Sequence, residues 1–180
     1  MIIFDFNPIL KRKYLKNADF KIYEVDGHNI IPSRFVSDTQ EYNAATLRRK
    51  IYFNISEFLT DFAETSNIKN EADTVLEQFL SEKLPFYAQL KNDPSKNMTS
   101  NLSAYINYGF ISSQRIALKV LNAECDDINK EVFLEELIVR KELADNFCLY
   151  CRNYKTFECT PQWAQQTLKA HQHDLRSHLY

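Results

Sequence analysis

The chain has 180 residues, of which 44% are apolar and 26% are charged, and its formal net charge is −2. This length and composition suffice for a globular domain with a hydrophobic core, and the charge gives no overall basic signature for nucleic acid. Its two glycines, Gly27 and Gly109, exclude a glycine-rich phosphate loop of the GxGxxG or Walker type. A bound nucleotide would therefore be held by helix ends and side chains.

No apolar run approaches the roughly 20 residues that span a bilayer, and the amino terminus has no charged leader followed by an apolar stretch. We therefore expect a cytoplasmic protein without a membrane partner, in which the four cysteines are reduced. Cys148 and Cys151 form a CxxC, but no second CxxC accompanies it, and the histidines near the end alternate on a polar segment. We expect no metal site.

The amino-terminal part predicts strands. Residues 1–6 form a short apolar run that predicts a buried strand, and residues 20–25 and 30–36 predict two more, separated by a turn at 26–29. A basic, aromatic segment at 11–16 predicts a short helix. Because three strands leave open edges, we expect them to lie against the helical part or to belong to a sheet whose other strands are outside this chain.

From residue 37 onward the patterns predict helices. Ser37 to Gln40 has a capping-box pattern and predicts a helix through Arg49, whose solvated end would carry the basic triplet of Arg48, Arg49 and Lys50. A polar connector is predicted at 64–70. An amphipathic helix at 71–83, stopped by Pro85, and a short helical piece at 86–90 follow.

The carboxyl-terminal half shows three more helix signals. Ile111 and Ile116 flank a Ser112 cap in the arrangement of a hydrophobic staple, which predicts a helix to about residue 123. A connector at 125–130 precedes a long helix at 132–150. Thr160 and Pro161 predict the N-cap and first position of a final helix that carries Trp163.

A polar cluster precedes apolar residues at helical spacing, and its side chains are Thr99, Ser100, Asn101 and Ser103. A helix begins with unpaired backbone N–H groups and a dipole that favours negative charge, so such a cluster can cap the helix or bind a phosphate. One cap residue would satisfy the helix. The surplus of donors, with Lys91 and Lys96 ahead of them, favours an anion.

The long helix carries two charges on its apolar face. Glu136 and Arg140 fall inside the apolar arc, whereas Ile138 and Glu142 fall outside it. A helical ion pair is one explanation, but such pairs belong on the solvated face. Charges on a buried stripe cost several kcal/mol unless they are paired or face a cavity. We therefore hypothesise a polar cavity here.

These stretches carry a resemblance. Residues 99–103 with Tyr105 and Gly109, together with residues 133–148, resemble the flavin-binding helical domain of class II cyclobutane pyrimidine dimer photolyases. Segments 24–32, 40–42, 87–94 and 163–180 resemble further parts of that family in the same order. The chain departs from the family at three positions. It has Ala104 where the family usually has proline, Asn107 where histidine is frequent, and Tyr108 where phenylalanine is common.

The resemblance implies a mainly-α fold: an incomplete helical flavin-binding domain, preceded by a few strands from the end of an α/β domain. Residues 1–36 would be the tail of that α/β domain, 37–70 an interdomain linker with a helix, and 71–180 the first part of the helical domain. The chain resembles the middle of a photolyase. We therefore expect this part to bind flavin weakly or not at all, because a half-built site leaves ligand surface in water. The remainder of the photolyase, for instance on another chain, would be the partner that completes the site.

The implied activity is that of a deoxyribodipyrimidine photolyase, a carbon–carbon lyase. Reduced flavin adenine dinucleotide (FAD) passes an electron, under light, to a pyrimidine dimer flipped out of ultraviolet-damaged DNA. By resemblance, the FAD phosphates are held by Thr99, Ser100, Asn101, Leu102 and Ser103.

Five other positions match functional residues of the family. By resemblance, Tyr87 and Lys91 would contact the cofactor, with Lys91 in place of the usual arginine. Phe133, Glu136 and Arg140 match the helix between flavin and damaged DNA, where Phe133 would contact the cofactor. Glu136 matches the carboxylate that hydrogen-bonds the dimer, and Arg140 would orient Glu136 or contact the substrate.

Two other functions stay open at this point. A cryptochrome-like flavoprotein would signal instead of repairing DNA, although Glu136 and the class II character of the long helix favour repair. An inactive helical remnant would bind DNA or a partner through Arg48, Arg49 and Lys50, with a steep dependence on salt.

Overall fold

The computed structural model describes residues 1–9, 19–61 and 70–175. Of the described residues, 56% are helical and two short stretches are strands, so the mainly-α prediction is confirmed. The helix predicted at 11–16, and all but the last residue of the connector predicted at 64–70, lie outside the described residues.

Two strands pair in parallel near the amino terminus: β1 (Ile2–Asp5) and β2 (Ile22–Val25), with Ile2 opposite Ile22. The strands predicted at 1–6 and 20–25 are confirmed. The prediction that the first is buried is wrong, because Ile3 is 60% exposed. In the described part of the chain the sheet has only these two strands, which leaves much of their apolar surface uncovered.

The strand predicted at 30–36 is wrong, because this segment holds a single helical turn, α1 (Ser33–Val36). The Asp26 carboxylate accepts hydrogen bonds from the backbone N–H groups of His28 (3.2 Å), Asn29 (3.0 Å) and Ser33 (2.8 Å). These bonds bend the chain, and Pro32, at φ −54°, suits a helix start.

The helix α2 (Ala44–Phe58) begins later and runs further than predicted. The Asn43 side chain caps it by accepting from Thr46 N at 3.0 Å. The capping box at Ser37 is wrong, because the Ser37 hydroxyl instead donates to Glu41 Oε1 at 2.9 Å. The basic triplet therefore lies within a helix and not at its end.

The helix predicted at 71–83 is confirmed as α3 (Glu71–Gln78), which continues into a π-helical turn, Phe79–Lys83. Asn70 and Asp73 form its capping box. A 3₁₀ turn (Leu84–Phe86) containing Pro85 leads into α4 (Tyr87–Leu90), which confirms the short helical piece.

Two helices follow the polar cluster, α5 (Ser103–Asn107) and α6 (Ser113–Leu121). The staple that predicted α6 is confirmed. Ile111 and Ile116 are both buried in one core cluster, and the Ser112 side chain accepts from Arg115 N at 3.1 Å.

The long helix consists of α7 (Asp127–Leu134), a π-helical turn (Glu135–Arg140) and α8 (Lys141–Tyr150). It begins at Asp127, within the segment predicted as a connector. The π turn contains one more residue than a regular helical turn, so side chains within and after it point in directions that a constant helical period does not predict. Ile138 and Glu142 are therefore buried, although the predicted arc excluded them.

The final helix, α9 (Gln162–Ala170), follows a 3₁₀ turn (Phe157–Cys159) and confirms the predicted helix with Trp163. The N-cap predicted at Thr160 is wrong, because its hydroxyl donates to the Phe157 carbonyl at 2.7 Å. Among the residues described, no helix is long and apolar enough to cross a membrane.

Most buried apolar residues of the described chain fall in two clusters. The first joins α3, α4, α6 and α7, and its large side chains include Phe79, Leu84, Leu102, Ile116 and Phe133. The second joins the segment around α1 with α2 and the second π turn, and includes Ile31, Leu47, Ile51, Ile138 and Val139. Leu134 and Leu137 pack against both clusters, so the long helix is held between them.

Candidate functional site

An open cavity of about 720 Å³ lies where the long helix passes α2 and the end of α4. Its lining is mostly charged: Arg48, Tyr52, Lys91, Glu131, Val132, Glu135, Glu136 and Arg140. A polar cavity beside Glu136 and Arg140 is thus present, and the side chain of Lys91 also lines it.

Glu136 is held by two side chains of the α4 region. The Tyr87 hydroxyl donates to Glu136 Oε2 at 2.6 Å, and Lys91 Nζ donates to Oε1 at 2.5 Å. Tyr87 and Lys91 are four residues apart, so one turn of helix presents both to the same carboxylate. The structure brings three of the predicted site residues into direct contact.

The electrostatics of this contact fix the protonation of Glu136. Partial burial raises the pKa of Glu136, but hydrogen bonds from Lys91 and Tyr87 and the charges of Lys91 and Arg140 lower it, and the net pKa lies below its ordinary value. Burial and the bond to Glu136 raise the pKa of Tyr87 well above its ordinary value. At neutral pH the carboxylate therefore accepts and the phenol donates.

Tyr87 is positioned by aromatic and amide contacts beneath the cavity. Its ring meets those of Phe133 and Phe79 edge to face, with centroids 5.3 and 5.8 Å apart. Asn129 accepts from Ala88 N at 2.8 Å and donates to the Pro85 carbonyl at 2.9 Å, which fixes α4 on the long helix. Phe133, predicted as a cofactor contact, is only 5% exposed and supports Tyr87 from the core.

Glu135 has its own pair of cations. Arg48 holds it with two bonds, from Nε to Oε2 at 2.9 Å and from Nη2 to Oε1 at 2.6 Å. Arg140 Nε lies 3.5 Å from Glu135 Oε1. A π turn brings residues five apart onto one side, so Arg140 faces Glu135, whereas the sequence suggested a pair with Glu136 four residues away.

The polar cluster forms an exposed loop anchored by one buried side chain. Leu102 is 1% exposed and packs in the cluster that contains Tyr87 and Phe133. Asn101 has φ 59°, and its Oδ1 accepts from the Thr99 hydroxyl at 3.0 Å. Lys83 Nζ donates to the Thr99 carbonyl at 3.0 Å.

These side chains do not cap a helix. Ser103 is the first residue of α5, and within this described segment the helix begins without a side-chain cap. The Ser100 hydroxyl accepts from Leu102 N at 3.4 Å. Hydroxyls and an amide beside a lysine suit an anion, and phosphate binding by this loop stays a prediction.

Five residues of the cavity were not predicted as part of this site: Arg48, which the sequence suggested only within the basic triplet, and Tyr52, Glu131, Val132 and Glu135. Arg48 and Tyr52 are four apart on α2, so their shared face could have been read from the sequence once the helix was placed correctly. Glu135 had no such signal, because its position depends on the π turn.

The fold and cavity define a helical domain that presents a fixed carboxylate to an open polar site. No family model matches the chain. It is 34% identical to the "Deoxyribodipyrimidine photo-lyase" of Potorous tridactylus, over 99% of this chain and 42% of the relative. It is 32% identical to proteins of the same name from Methanothermobacter thermautotrophicus, over 87% of this chain, and from Oryza sativa subsp. japonica, over 88%.

The chain belongs to the photolyase family. It spans about two fifths of the length of these curated relatives.

Proposed function

We propose that the chain contributes to light-dependent DNA repair as part of a class II deoxyribodipyrimidine photolyase, which splits cyclobutane pyrimidine dimers. The observation that carries this proposal is the Glu136 carboxylate, which lies at an open cavity and is held by Tyr87 and Lys91. The names of the relatives support the same reaction.

FAD is the cofactor that this proposal requires, and when bound it would supply the light-driven electron that splits the dimer. The donors of the loop at 99–103 suit its phosphates, because Thr99, Asn101 and Ser103 are exposed and Lys83 lies beside them. Leu102 would fix the loop from the core. Tyr87 and Lys91, which hold Glu136, would also contact the cofactor.

Glu136 would orient the substrate by accepting hydrogen bonds. Its lowered pKa keeps it ionised at neutral pH, and an ionised carboxylate has no proton to donate. The ring N–H of a pyrimidine is a donor of the matching kind. Glu136 would stabilise negative charge on the dimer only after taking up a proton, whereas Lys91 and Tyr87 carry donors already.

Ultraviolet-damaged DNA is the proposed partner, and Arg140 would contact it. The Arg140 side chain is 60% exposed at the cavity, and its one ion pair among the described residues is the 3.5 Å contact with Glu135. The alternative of DNA binding through the basic triplet has less support, since Arg48 is paired with Glu135 and Lys50 with Glu41.

The first experiment measures flavin retention by the 180-residue chain. The protein is incubated with FAD, free cofactor is removed, and the visible absorption spectrum is recorded for the wild type and for Ser100→Ala/Ser103→Ala. The control is Ser56→Ala/Ser81→Ala, which changes two exposed helical serines. Because the chain spans about two fifths of its relatives, we expect weak flavin retention in the wild type and the control, and a loss of that retention in the loop variant. Equal retention in all three proteins would contradict the assigned phosphate site.

The second experiment tests repair with the flavin chemically reduced. Oligonucleotides with a thymine dimer are illuminated with blue light, and intact thymines are quantified. We expect light-dependent splitting that Glu136→Ala lowers at least tenfold, equivalent to about 1.4 kcal/mol of lost transition-state stabilisation. Flavin retention without any splitting, in a protein completed by the remainder of the photolyase, would instead favour a signalling flavoprotein.

A further inference from the structure

The residue next to Glu136 is tied to a different helix. Glu135 begins the π turn of the long helix, and Arg48 of α2 holds both of its carboxylate oxygens. The neighbours of Arg48 on α2, Leu47 and Ile51, are buried in the second core cluster. The guanidinium therefore projects from a firmly packed helix, so it can act as a fixed point for the π turn.

Glu136 is the second residue of the π turn, so the conformation of the turn bears on the direction of its side chain. An α-helix places successive side chains about 100° apart, so a π turn that reverted to regular α-helix would redirect side chains within and beyond it. Glu135 and Arg140 are the first and last residues of the turn and contact each other across it. Arg48 joins that contact from outside the helix and links the turn to α2.

We propose that Arg48 is a positioning residue, which holds the π turn through Glu135 and thereby directs the Glu136 carboxylate to Tyr87 and Lys91. This inference rests on the proposed function only in the assignment of Glu136 as a substrate contact. Its test is a titration of Glu136 and does not depend on flavin or repair.

A purely electrostatic influence of Arg48 makes different predictions. Through space, loss of the Arg48 charge would raise the Glu136 pKa, and loss of the Glu135 charge would lower it. If the pair acts by position, loss of either partner frees the turn. Glu136 then loses its bonds to Lys91 and Tyr87, and its pKa rises in both variants.

The experiment follows the titration of Glu136 by NMR in the 180-residue chain labelled with ¹³Cδ-glutamate. The variants are Arg48→Met, Glu135→Gln, their combination, and Arg48→Lys, which keeps the charge but loses the two-bond fork. The matched control is Lys50→Met/Glu41→Gln, which removes another ion pair that involves α2. The Tyr87 ¹³Cζ signal is followed in parallel.

We expect the Glu136 titration to move upward in all four variants, and the Tyr87 titration to move downward, with neither moving in the control. Opposite shifts in the two single variants that cancel in the double variant would overturn the proposal. An unchanged Glu136 titration in folded Arg48→Lys would also overturn it. Arg48→Lys retains the charge, so it tests the inference even if the uncharged variants do not fold.

Discussion

The Tyr87 hydroxyl lies 2.6 Å from Glu136 Oε2, and this bond joins two residues separated by 49 positions in the sequence. The phenol is nearly buried, whereas the Glu136 side chain is 42% exposed at the cavity. The core thus supplies a donor of fixed position to a carboxylate that a ligand can still reach. Loss of this bond should therefore lower the stability of the fold and release the Glu136 carboxylate, and both effects can be measured.

Tyr87→Phe removes the donor and keeps the ring against Phe79 and Phe133. We expect the free energy of unfolding to fall by about 1 kcal/mol at pH 7, below the usual range for a bond to a charged group because the carboxylate is partly solvated. Urea denaturation measures this change. Tyr108→Phe, at a side chain that is 78% exposed, is the control.

The loss in Tyr87→Phe should depend on pH. The folded state lowers the pKa of Glu136, so its ionic contacts stabilise the fold above the unfolded pKa and are lost as pH falls through the folded pKa. The difference between the two proteins should therefore shrink in acid. A difference that stays constant from pH 7 into the acid range would argue against an ionised Glu136.

Glu142 should make stability depend on pH in the opposite sense. It is buried, and Oε1 accepts from Ile30 N at 3.2 Å. Burial raises the pKa of Glu142 to about 7, against the lowering effects of the Lys141 charge and backbone bonds. The charge of the neighbouring Asp26 carboxylate contributes to this raised pKa. The folded state therefore binds a proton more tightly than the unfolded state does.

The stability that Glu142 contributes is complete below its unfolded pKa of about 4.3 and is lost as pH rises through about 7, a change of roughly 3 kcal/mol. Glu142→Gln keeps an acceptor for Ile30 and abolishes the titration. We expect denaturation curves recorded from pH 5 to pH 8 to show a smaller decline for Glu142→Gln than for the wild type. Glu124→Gln, at an exposed position, should decline like the wild type.

Local sequence signals predicted most helices, because a cap, a hydrophobic staple or a proline acts on residues close to it in the sequence. The staple of Ile111 and Ile116 around Ser112 fixes α6, and Pro85 ends the helical run that starts at Glu71. Where the local signal was ambiguous, distant contacts decided the outcome. Ser37 fits a capping box, but its hydroxyl bonds to Glu41, and the Tyr150 hydroxyl donates to its carbonyl at 2.6 Å.

The site was only partly predictable for a related reason. Glu136 stood out as a charge in an apolar arc, but its partners were not evident, since Lys91 was predicted to contact cofactor. The arc itself assumed a constant helical period. The π turn at Glu135–Arg140 breaks that period. Arg140 therefore pairs with Glu135, five residues away, and not with Glu136 as the sequence suggested.

Asn146 on α8 fixes the segment before α2 to the long helix. It is 2% exposed, accepts from Glu41 N at 2.7 Å and donates to the Thr39 carbonyl at 3.0 Å. Asn146→Ala leaves both backbone groups without this partner, so we expect a loss of about 2 to 3 kcal/mol in the free energy of unfolding. Thermal and urea unfolding measure it, with the exposed Asn153→Ala as control. A loss under 0.5 kcal/mol, the usual range for surface changes, would exclude this role.

Gly109 joins α5 to α6 with φ +74°, in the left-handed region, and a Cβ added there would meet no atom within 4 Å. Gly109→Ala therefore isolates backbone strain from packing, and we expect a loss of about 1 kcal/mol in the free energy of unfolding. Gly27→Ala is the matched control, because a Cβ there would make only an ordinary contact, 3.4 Å from Asp5 Oδ1. We expect it to keep wild-type stability or to gain slightly, since alanine restricts the unfolded chain. Equal losses in the two variants would mean that strain at Gly109 is not the cause.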